Sequence, residues 1–160
     1  QAVTSPENAP ANDFLDFAAT GWSGFQTGQQ DLGNFTLSPD GMTLLQERQS
    51  WEQVVRDFMI APDTQLQFDF SAETEGEIHA IMFTNGESVS RNTTIQLLGS
   101  QTFGEQAHND YVAGSGVRGY NIPIGEYFTG AFDRIVFLTD DDANVGADSM
   151  WANVEVSSSK

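Results

Sequence analysis

Residues 65–70 read Gln65-Leu66-Gln67-Phe68-Asp69-Phe70, and their strict alternation of polar and apolar side chains decides the fold class. Neighbouring side chains of an extended strand point to opposite faces, so one face of this segment is buried and the other is wet. Similar short segments recur along the chain and are separated by turn residues. Strands are predicted over 14–17, 35–37, 42–46, 51–58, 65–70, 77–83, 94–98, 119–122, 134–138 and 151–156.

This spacing of short strands is typical of sandwiches and jelly rolls, and differs from the alternation of strands and helices in α/β proteins. We therefore predict an all-β, jelly-roll-like antiparallel β-sandwich that forms a single domain. The turn-like residues 73–76 predict a hairpin between the strands 65–70 and 77–83. A short helix over 51–60 would also satisfy the pattern of that segment.

The two ends of the chain have the composition of linkers. Residues 1–12 are small and polar with two prolines, and residues 157–160 read Ser-Ser-Ser-Lys. We expect a β-sandwich module over 13–156 between two linkers or frayed ends. The sequence contains neither a long apolar run nor a signal-peptide pattern, so we expect no membrane span, and the signal of an exported protein would lie outside it.

The charge of the chain limits its partners. The chain has six Lys and Arg residues and 23 Asp and Glu residues, which gives a formal net charge of −17. Such a surface repels nucleic acid and anionic lipid, because both are bound largely through cationic side chains. Neutral glycans, cations and basic proteins remain possible partners. The chain has no cysteine, which excludes disulfides and thiolate metal sites.

An acidic segment over 139–148 follows the apolar residues 135–138 and predicts a structural calcium site. Oxygen-bearing side chains recur at alternate positions, and calcium takes six to eight oxygen ligands from tightly turning backbone. The segment is not an EF-hand, because Trp151 occupies the position of the bidentate glutamate. An acidic surface turn is the alternative interpretation. The predicted ligands are Asp140, Asp142, Asn144 and Asp148.

Glu77 and His79 are two residues apart, so they share one face of the predicted strand. The pair could hold a metal, do acid–base chemistry or contact a ligand, and its alternative role is a hydrogen-bonded structural pair. The other histidine, His108, has no spacing that ties it to His79. The sequence lacks a Gly-x-Ser-x-Gly nucleophile motif and a phosphate-binding Gly-x-x-x-x-Gly-Lys motif, so no enzyme class is supported.

Aromatic residues near glycine-rich turns are the candidates for sugar binding, because sugar rings stack their C–H faces on aromatic rings. Trp51 and Trp151 lie inside strand patterns and are predicted to be core residues. The candidates for stacking are Trp22, Tyr111, Tyr120 and Tyr127.

Residues 66–70 and 75–83 resemble the "LEFDF…EGEIHGIGF" core of a β-sandwich module found in secreted, modular proteins of marine and polysaccharide-degrading bacteria. The stretches 96–104, 120–130 and 140–154 agree in order, so the resemblance spans about residues 40 to 156. Modules of this kind occur beside glycoside hydrolases and polysaccharide lyases as carbohydrate-binding units, and similar ones occur beside c-type cytochromes. This chain departs from the pattern at Thr84, where the family has an acidic residue.

Together these observations predict a non-catalytic carbohydrate-recognition module of a secreted, periplasmic or extracellular bacterial protein. It would bind a neutral polysaccharide or oligosaccharide, carry a structural calcium ion and be linked to neighbouring domains. Trp22 and the three tyrosines would supply stacking, with Glu77 and His79 as further contacts. The alternative is a structural domain of an extracellular electron-transfer protein that positions a cytochrome.

Overall fold

The computed structural model describes residues 14–17 and 22–158, which form ten strands. In chain order the strands are β1 (Trp22–Gly24), β2 (Asn34–Leu37), β3 (Thr43–Glu47), β4 (Ser50–Ile60), β5 (Gln65–Ser71), β6 (Ile78–Thr84), β7 (Thr94–Leu98), β8 (Arg118–Ile122), β9 (Gly130–Asp140) and β10 (Asp148–Ser157). Short 3₁₀ turns cover Arg91–Thr93 and Ile124–Glu126. Among the described residues, no helix has the length and apolar character needed to cross a membrane.

The strands form two five-stranded sheets, and all of their pairs are antiparallel. Sheet I has the order β1-β4-β9-β6-β7, and sheet II has the order β2-β3-β10-β5-β8. The predicted all-β antiparallel sandwich is therefore confirmed.

The predicted hairpin between β5 and β6 is wrong. β5 pairs with β10 and β8 in sheet II, whereas β6 pairs with β9 and β7 in sheet I. The connection between them crosses from one sheet to the other, and Gly76 packs tightly at this crossing. A Cβ atom on Gly76 would lie 2.7 Å from the Cβ of Ala147 and 2.8 Å from the carbonyl oxygen of Asp140.

Two other segments differ from the sequence-based expectation, whereas the strand predicted over 51–58 is confirmed. The glycine- and serine-rich segment at Trp22–Gly24 is an edge strand rather than a loop, and it pairs with β4. Residues 14–17 form no strand and are tied to β10 by a single bridge between Phe14 and Glu155. Segment 51–60 is strand throughout. The proposed linker 1–12 lies outside the described residues, and Ser157 of the proposed tail still belongs to β10.

The main core fills the space between the two sheets. Trp151 of β10 is fully buried, and its ring centroid lies 4.6 Å from that of Phe70 in sheet II and 5.5 Å from that of Phe137 in sheet I. Leu15 and Phe17 are also buried in this core. Their backbone amides donate to the carbonyl oxygens of Val154 and Gly41, so segment 14–17 is anchored on both sides of Asp16.

A buried glutamine joins the two sheets. The Gln46 amide nitrogen on β3 donates to the carbonyl oxygens of Ser50 (2.8 Å) and Phe137 (3.0 Å) in sheet I. Its Oε1 accepts from Trp151 Nε1 (2.8 Å) and Thr139 Oγ1 (3.1 Å). Both amide protons and both lone pairs are used, which is the condition under which a buried amide costs little.

The outer faces of the two sheets differ. On sheet I a second apolar cluster covers the outside, and every residue of β6 and β7 is buried. On sheet II the outward side chains of β5 and β8 are polar, and β10 adds Asn153 and Glu155 to this face beside the apolar Met150 and Ala152. The second cluster consists of Phe25, Trp51, Met82, Val136 and Leu138.

Replacing Trp151 by Phe is expected to lower the free energy of unfolding by about 2 kcal/mol, because the variant loses ring contacts with both sheets and the hydrogen bond to Gln46. Chemical denaturation measures this loss. Val112→Ala is the control, since Val112 is 68% exposed and its truncation should change stability by less than about 0.5 kcal/mol. Equal effects of the two substitutions would contradict the central role of Trp151.

Candidate functional site

The acidic loop after β9 is folded by one of its own carboxylates. Asp141 accepts hydrogen bonds from the backbone amides of Val145 (2.9 Å), Gly146 (3.0 Å) and Ala147 (3.0 Å). Burial opposes its ionisation, but these amides together hold the pKa of Asp141 below its ordinary value. Asn144 lies at the turn with a positive φ of 58°. Asp141 was not among the predicted ligands, and its role is to shape the loop.

Three carboxylates converge beside this loop, and we call them the acidic triad: Glu77, Asp140 and Asp142. One oxygen of each lies within 4.8 Å of the others. Glu77 accepts the amides of Asp142 (2.6 Å) and Ala143 (2.8 Å), which places its carboxylate against the loop. Burial, followed by the charges of Asp142 and Glu77, raises the pKa of Asp140 despite a hydrogen bond from Gln49. The triad thus concentrates negative charge from two separate parts of the chain.

Of the four predicted calcium ligands, the structure brings together Asp140 and Asp142. The Asp148 carboxylate instead accepts the amides of Glu73 (2.9 Å) and Thr74 (2.7 Å) and so fixes a different turn. Asn144 is exposed and lines a shallow depression together with Asp141 and Asp142. Sequence reasoning placed Glu77 with His79, because spacing along one strand cannot reveal a contact with a loop some 65 residues away.

His79 is a fully buried member of a hydrogen-bond chain. The amide of Gly76 donates to its Nε2 (2.8 Å), so Nδ1 carries the proton and donates to Ser149 Oγ (2.8 Å). Ser149 Oγ lies 2.7 Å from Thr139 Oγ1, which donates to Gln46. Burial lowers the pKa of His79 to about 4. Each nitrogen has a partner inside the protein, which fits a structural role and leaves His79 closed to a ligand.

The side chains of three of the four predicted stacking residues point towards the protein interior. Tyr111 is buried, and its hydroxyl donates to the carbonyl oxygen of Gly116 (2.6 Å). Tyr120 stacks on Phe68 with 5.2 Å between ring centroids, and burial raises the pKa of Tyr120 to about 12. Trp22 packs on Phe17 at 4.9 Å. The expectation that these rings face solvent is corrected: strand register turns Trp22 and Tyr120 towards the core, and Tyr111 in the β7–β8 connection packs on Phe70.

Tyr127 is the predicted aromatic that remains partly exposed. Its hydroxyl lies 3.1 Å from Nε2 of His108. It lines a depression of about 350 Å³ beyond the edge strand β7, which we call the edge groove. The other lining residues are Arg91, Asn92, Gly104 and Glu105.

A second depression of about 390 Å³ lies on the outer face of sheet II, and we call it the sheet-face groove. Phe14, 47% exposed, stands at its side next to Glu155. Asn153 has a positive φ of 53° at an irregularity in β10 and donates from its amide to Asp69 Oδ2 (2.9 Å). The lining residues are Phe14, Gln67, Phe68, Asp69, Gly119, Tyr120, Asn121, Asn153 and Glu155.

Sequence reasoning missed most of this groove as a candidate site. The alternation over 65–70 already assigned Gln67 and Asp69 to the wet face, and that signal could have found them. Asn121 and Asn153 required the pairing of β8 and β10 on either side of β5.

Comparison with known proteins found no matching family model and no matching curated protein. Among solved structures, a family 29 carbohydrate-binding module aligns with a TM-score of 0.47 and 14% identity, over 86% of this chain and 76% of that chain. A family 29 module complexed with cellulohexaose aligns with a TM-score of 0.43 and 18% identity, over 86% and 91%. The family 30 module of a cellulosomal cellulase of Clostridium thermocellum aligns with a TM-score of 0.44 and 13% identity, over 92% and 93%.

Replacing His79 by Gln is expected to change the pH dependence of stability. The folded-state pKa of about 4 lies below the ordinary histidine pKa of 6.5, so between these values the unfolded chain binds the proton more readily. The contribution of neutral His79 to the free energy of unfolding is fully present above pH 6.5 and is lost as the pH falls towards 4. The stability difference between wild type and variant should therefore shrink by about 3 kcal/mol from pH 7 to pH 4. Denaturant unfolding at both pH values measures it, and a constant difference would contradict the assignment.

Proposed function

We propose that this protein is a non-catalytic carbohydrate-recognition module that binds a neutral sugar chain in the sheet-face groove. The observation that carries the proposal is the convergence of an exposed aromatic ring, Phe14, with outward amide and carboxylate side chains on the open face of sheet II.

The side chains of the groove have the chemistry that sugar hydroxyls require. Amides of Gln67, Asn121 and Asn153 can both donate and accept, and the carboxylates of Asp69 and Glu155 can accept from hydroxyl groups. The ring of Phe14 offers an apolar face for sugar C–H groups. Within the described lining there is no Lys or Arg to pair with a sulfate or carboxylate group, which favours neutral sugars over anionic ones.

The position of the groove also supports this function. The outer face of sheet I is closed by its second apolar cluster, so sheet II presents the extended surface along which a sugar chain could lie. The edge groove holds Tyr127 but also Arg91 and Glu105, whose opposite charges suit a neutral oligosaccharide less well. It is the alternative location for the binding site.

Following the family that the sequence resembles, we also propose that the module works in a secreted, periplasmic or extracellular bacterial protein and is linked there to domains acting on polysaccharides. A net charge of −17 suits this setting, because it disfavours attachment to nucleic acid and anionic membranes.

A screen of neutral plant and algal polysaccharides by affinity electrophoresis tests the sugar proposal. We expect retention on one polymer class. Phe14→Ala and Asn121→Ala should each weaken binding about tenfold, because each removes one contact worth roughly 1 to 1.5 kcal/mol.

Asn92→Ala is the matched control, since it removes the same side chain from the edge groove and should leave retention unchanged. Loss of retention in Asn92→Ala but not in Asn121→Ala would move the site to the edge groove. Absence of retention on every polymer would contradict the proposal and favour a structural role beside a neighbouring domain.

We further propose that the acidic triad holds a structural calcium ion. Three carboxylates from two chain segments lie close enough to share one ion, and the raised pKa of Asp140 reflects the burial and like charge that a cation would offset. Asp142 is exposed, so water could complete the coordination.

Calcium at about 100 times its dissociation constant should stabilise the fold by about 2.7 kcal/mol, and chelator should reverse the resulting rise in Tm. Asp142→Ala should lose the part of this calcium-dependent shift that the acidic triad contributes. Asp148→Asn is the control, because its carboxylate caps the turn at 73–74, so the variant should lower Tm equally with and without calcium. A Tm that is unchanged by calcium and chelator, with no heat of calcium binding, would contradict the proposal.

A further inference from the structure

A second pair of acids, the buried Glu52 and the half-buried Asp31, lies beside β1 and β4 of sheet I and has no part in either proposed site. Glu52 of β4 is only 1% exposed, and it pairs with Gly24 of β1 and Phe137 of β9. Among the described residues, neither of its carboxylate oxygens has a hydrogen-bond partner of normal geometry, although the Asp31 and Ser50 side chains lie close enough to change its pKa. A buried carboxylate without partners is strongly unfavourable, so this position requires a physical explanation.

Asp31 supplies the second carboxylate. Its side chain occupies the space above Gly24, and a Cβ atom on Gly24 would collide with Asp31 Oδ2. Because Gly24 and Glu52 are paired across the strands, the missing side chain lets Asp31 approach Glu52 on the same face. Asp31 Oδ1 also accepts the amide of Trp51 (3.3 Å), which holds the carboxylate at this edge.

A buried carboxylate next to a second, half-buried carboxylate cannot stay charged without compensation. Burial first, and then the neighbouring Asp31, raise the pKa of Glu52 to about 9. A proton shared with Asp31 would satisfy one oxygen of Glu52 and leave the other to the Ser50 hydroxyl, whose hydrogen bond acts to lower this pKa. A cation could contact both oxygens of Glu52 together with Asp31.

We infer that Glu52 and Asp31 form a cation site that closes the β1 edge of sheet I and is separate from the acidic triad. The donors are oxygens, and no His or Cys joins them among the described residues, so the site suits a hard divalent cation such as calcium rather than zinc.

Terbium, a luminescent substitute for calcium, provides a direct test. Trp22 and Trp51 lie on the two strands that carry the site, so excitation of their indoles should sensitise a terbium ion bound there. The Asp142→Ala variant removes the acidic triad as a competing site. Titration of this variant with terbium should show one bound ion per protein molecule whose luminescence is sensitised by tryptophan. Adding calcium should displace this ion and remove the luminescence.

Adding Glu52→Gln to Asp142→Ala should abolish terbium binding while the protein remains folded. Glutamine keeps the shape of the glutamate side chain, and its amide can donate a hydrogen bond to Asp31. Asp31→Asn, added to Asp142→Ala in the same way, should weaken terbium binding at least about tenfold and serves as a second variant if Glu52→Gln does not fold.

Three results would overturn the inference. If Asp142→Ala binds no terbium, or if Glu52→Gln leaves the stoichiometry unchanged, no cation occupies this pair. If Glu52→Gln raises Tm by the same amount with calcium and with chelator, the pair is held together by a proton instead. None of these results bears on sugar binding, so the proposed function is tested separately.

Discussion

The side-chain amide of Gln46 is the interaction on which the relative position of the two sheets depends. It belongs to sheet II, yet it donates to backbone carbonyl groups of β4 and β9 in sheet I, and it accepts from the indole of Trp151. Apolar contacts between sheets tolerate sliding, whereas four directional bonds on one buried group tolerate very little. The chain from Thr139 through Ser149 to His79 extends this constraint to β6. The polar network therefore specifies the alignment that the aromatic core then stabilises.

The sequence predicts the strands better than it predicts their partners. Alternation over 65–70 and the apolar runs at 78–84 and 134–138 identify β5, β6 and β9, because side-chain periodicity is a local property. The pairing of strands is decided by the whole core, so the short connection at 72–77 suggested a hairpin where the chain crosses between sheets. β1 was missed because a strand of three residues containing Ser and Gly carries no periodicity.

In the candidate sites too, the sequence predicts individual residues better than it predicts which residues come together. Asp140 and Asp142 could be proposed from their spacing, but Glu77 joins them only through the folded chain. Asp141 and Asp148 look equivalent to these residues in the sequence, and differ because their carboxylates are already occupied by backbone amides. The aromatic rings predicted for sugar contact were selected by residue type, whereas sheet register turns Trp22 and Tyr120 inward and packing on Phe70 buries Tyr111. Glu52, in contrast, carried no sequence signal, because a glutamate inside a strand ordinarily faces water.

The anchoring of Phe14 has a consequence for the energetics of recognition. This exposed ring is held by buried neighbours, since Leu15 and Phe17 are packed in the core and hydrogen-bonded to β10 and to the β2–β3 turn. The aromatic platform is therefore preorganised, and a ligand that contacts it does not lose free energy by ordering the backbone beneath it. The affinity for a ligand at Phe14 therefore depends on the core packing of Leu15 and Phe17. A conservative truncation of Phe17 would reduce recognition without removing a single atom that the ligand can reach.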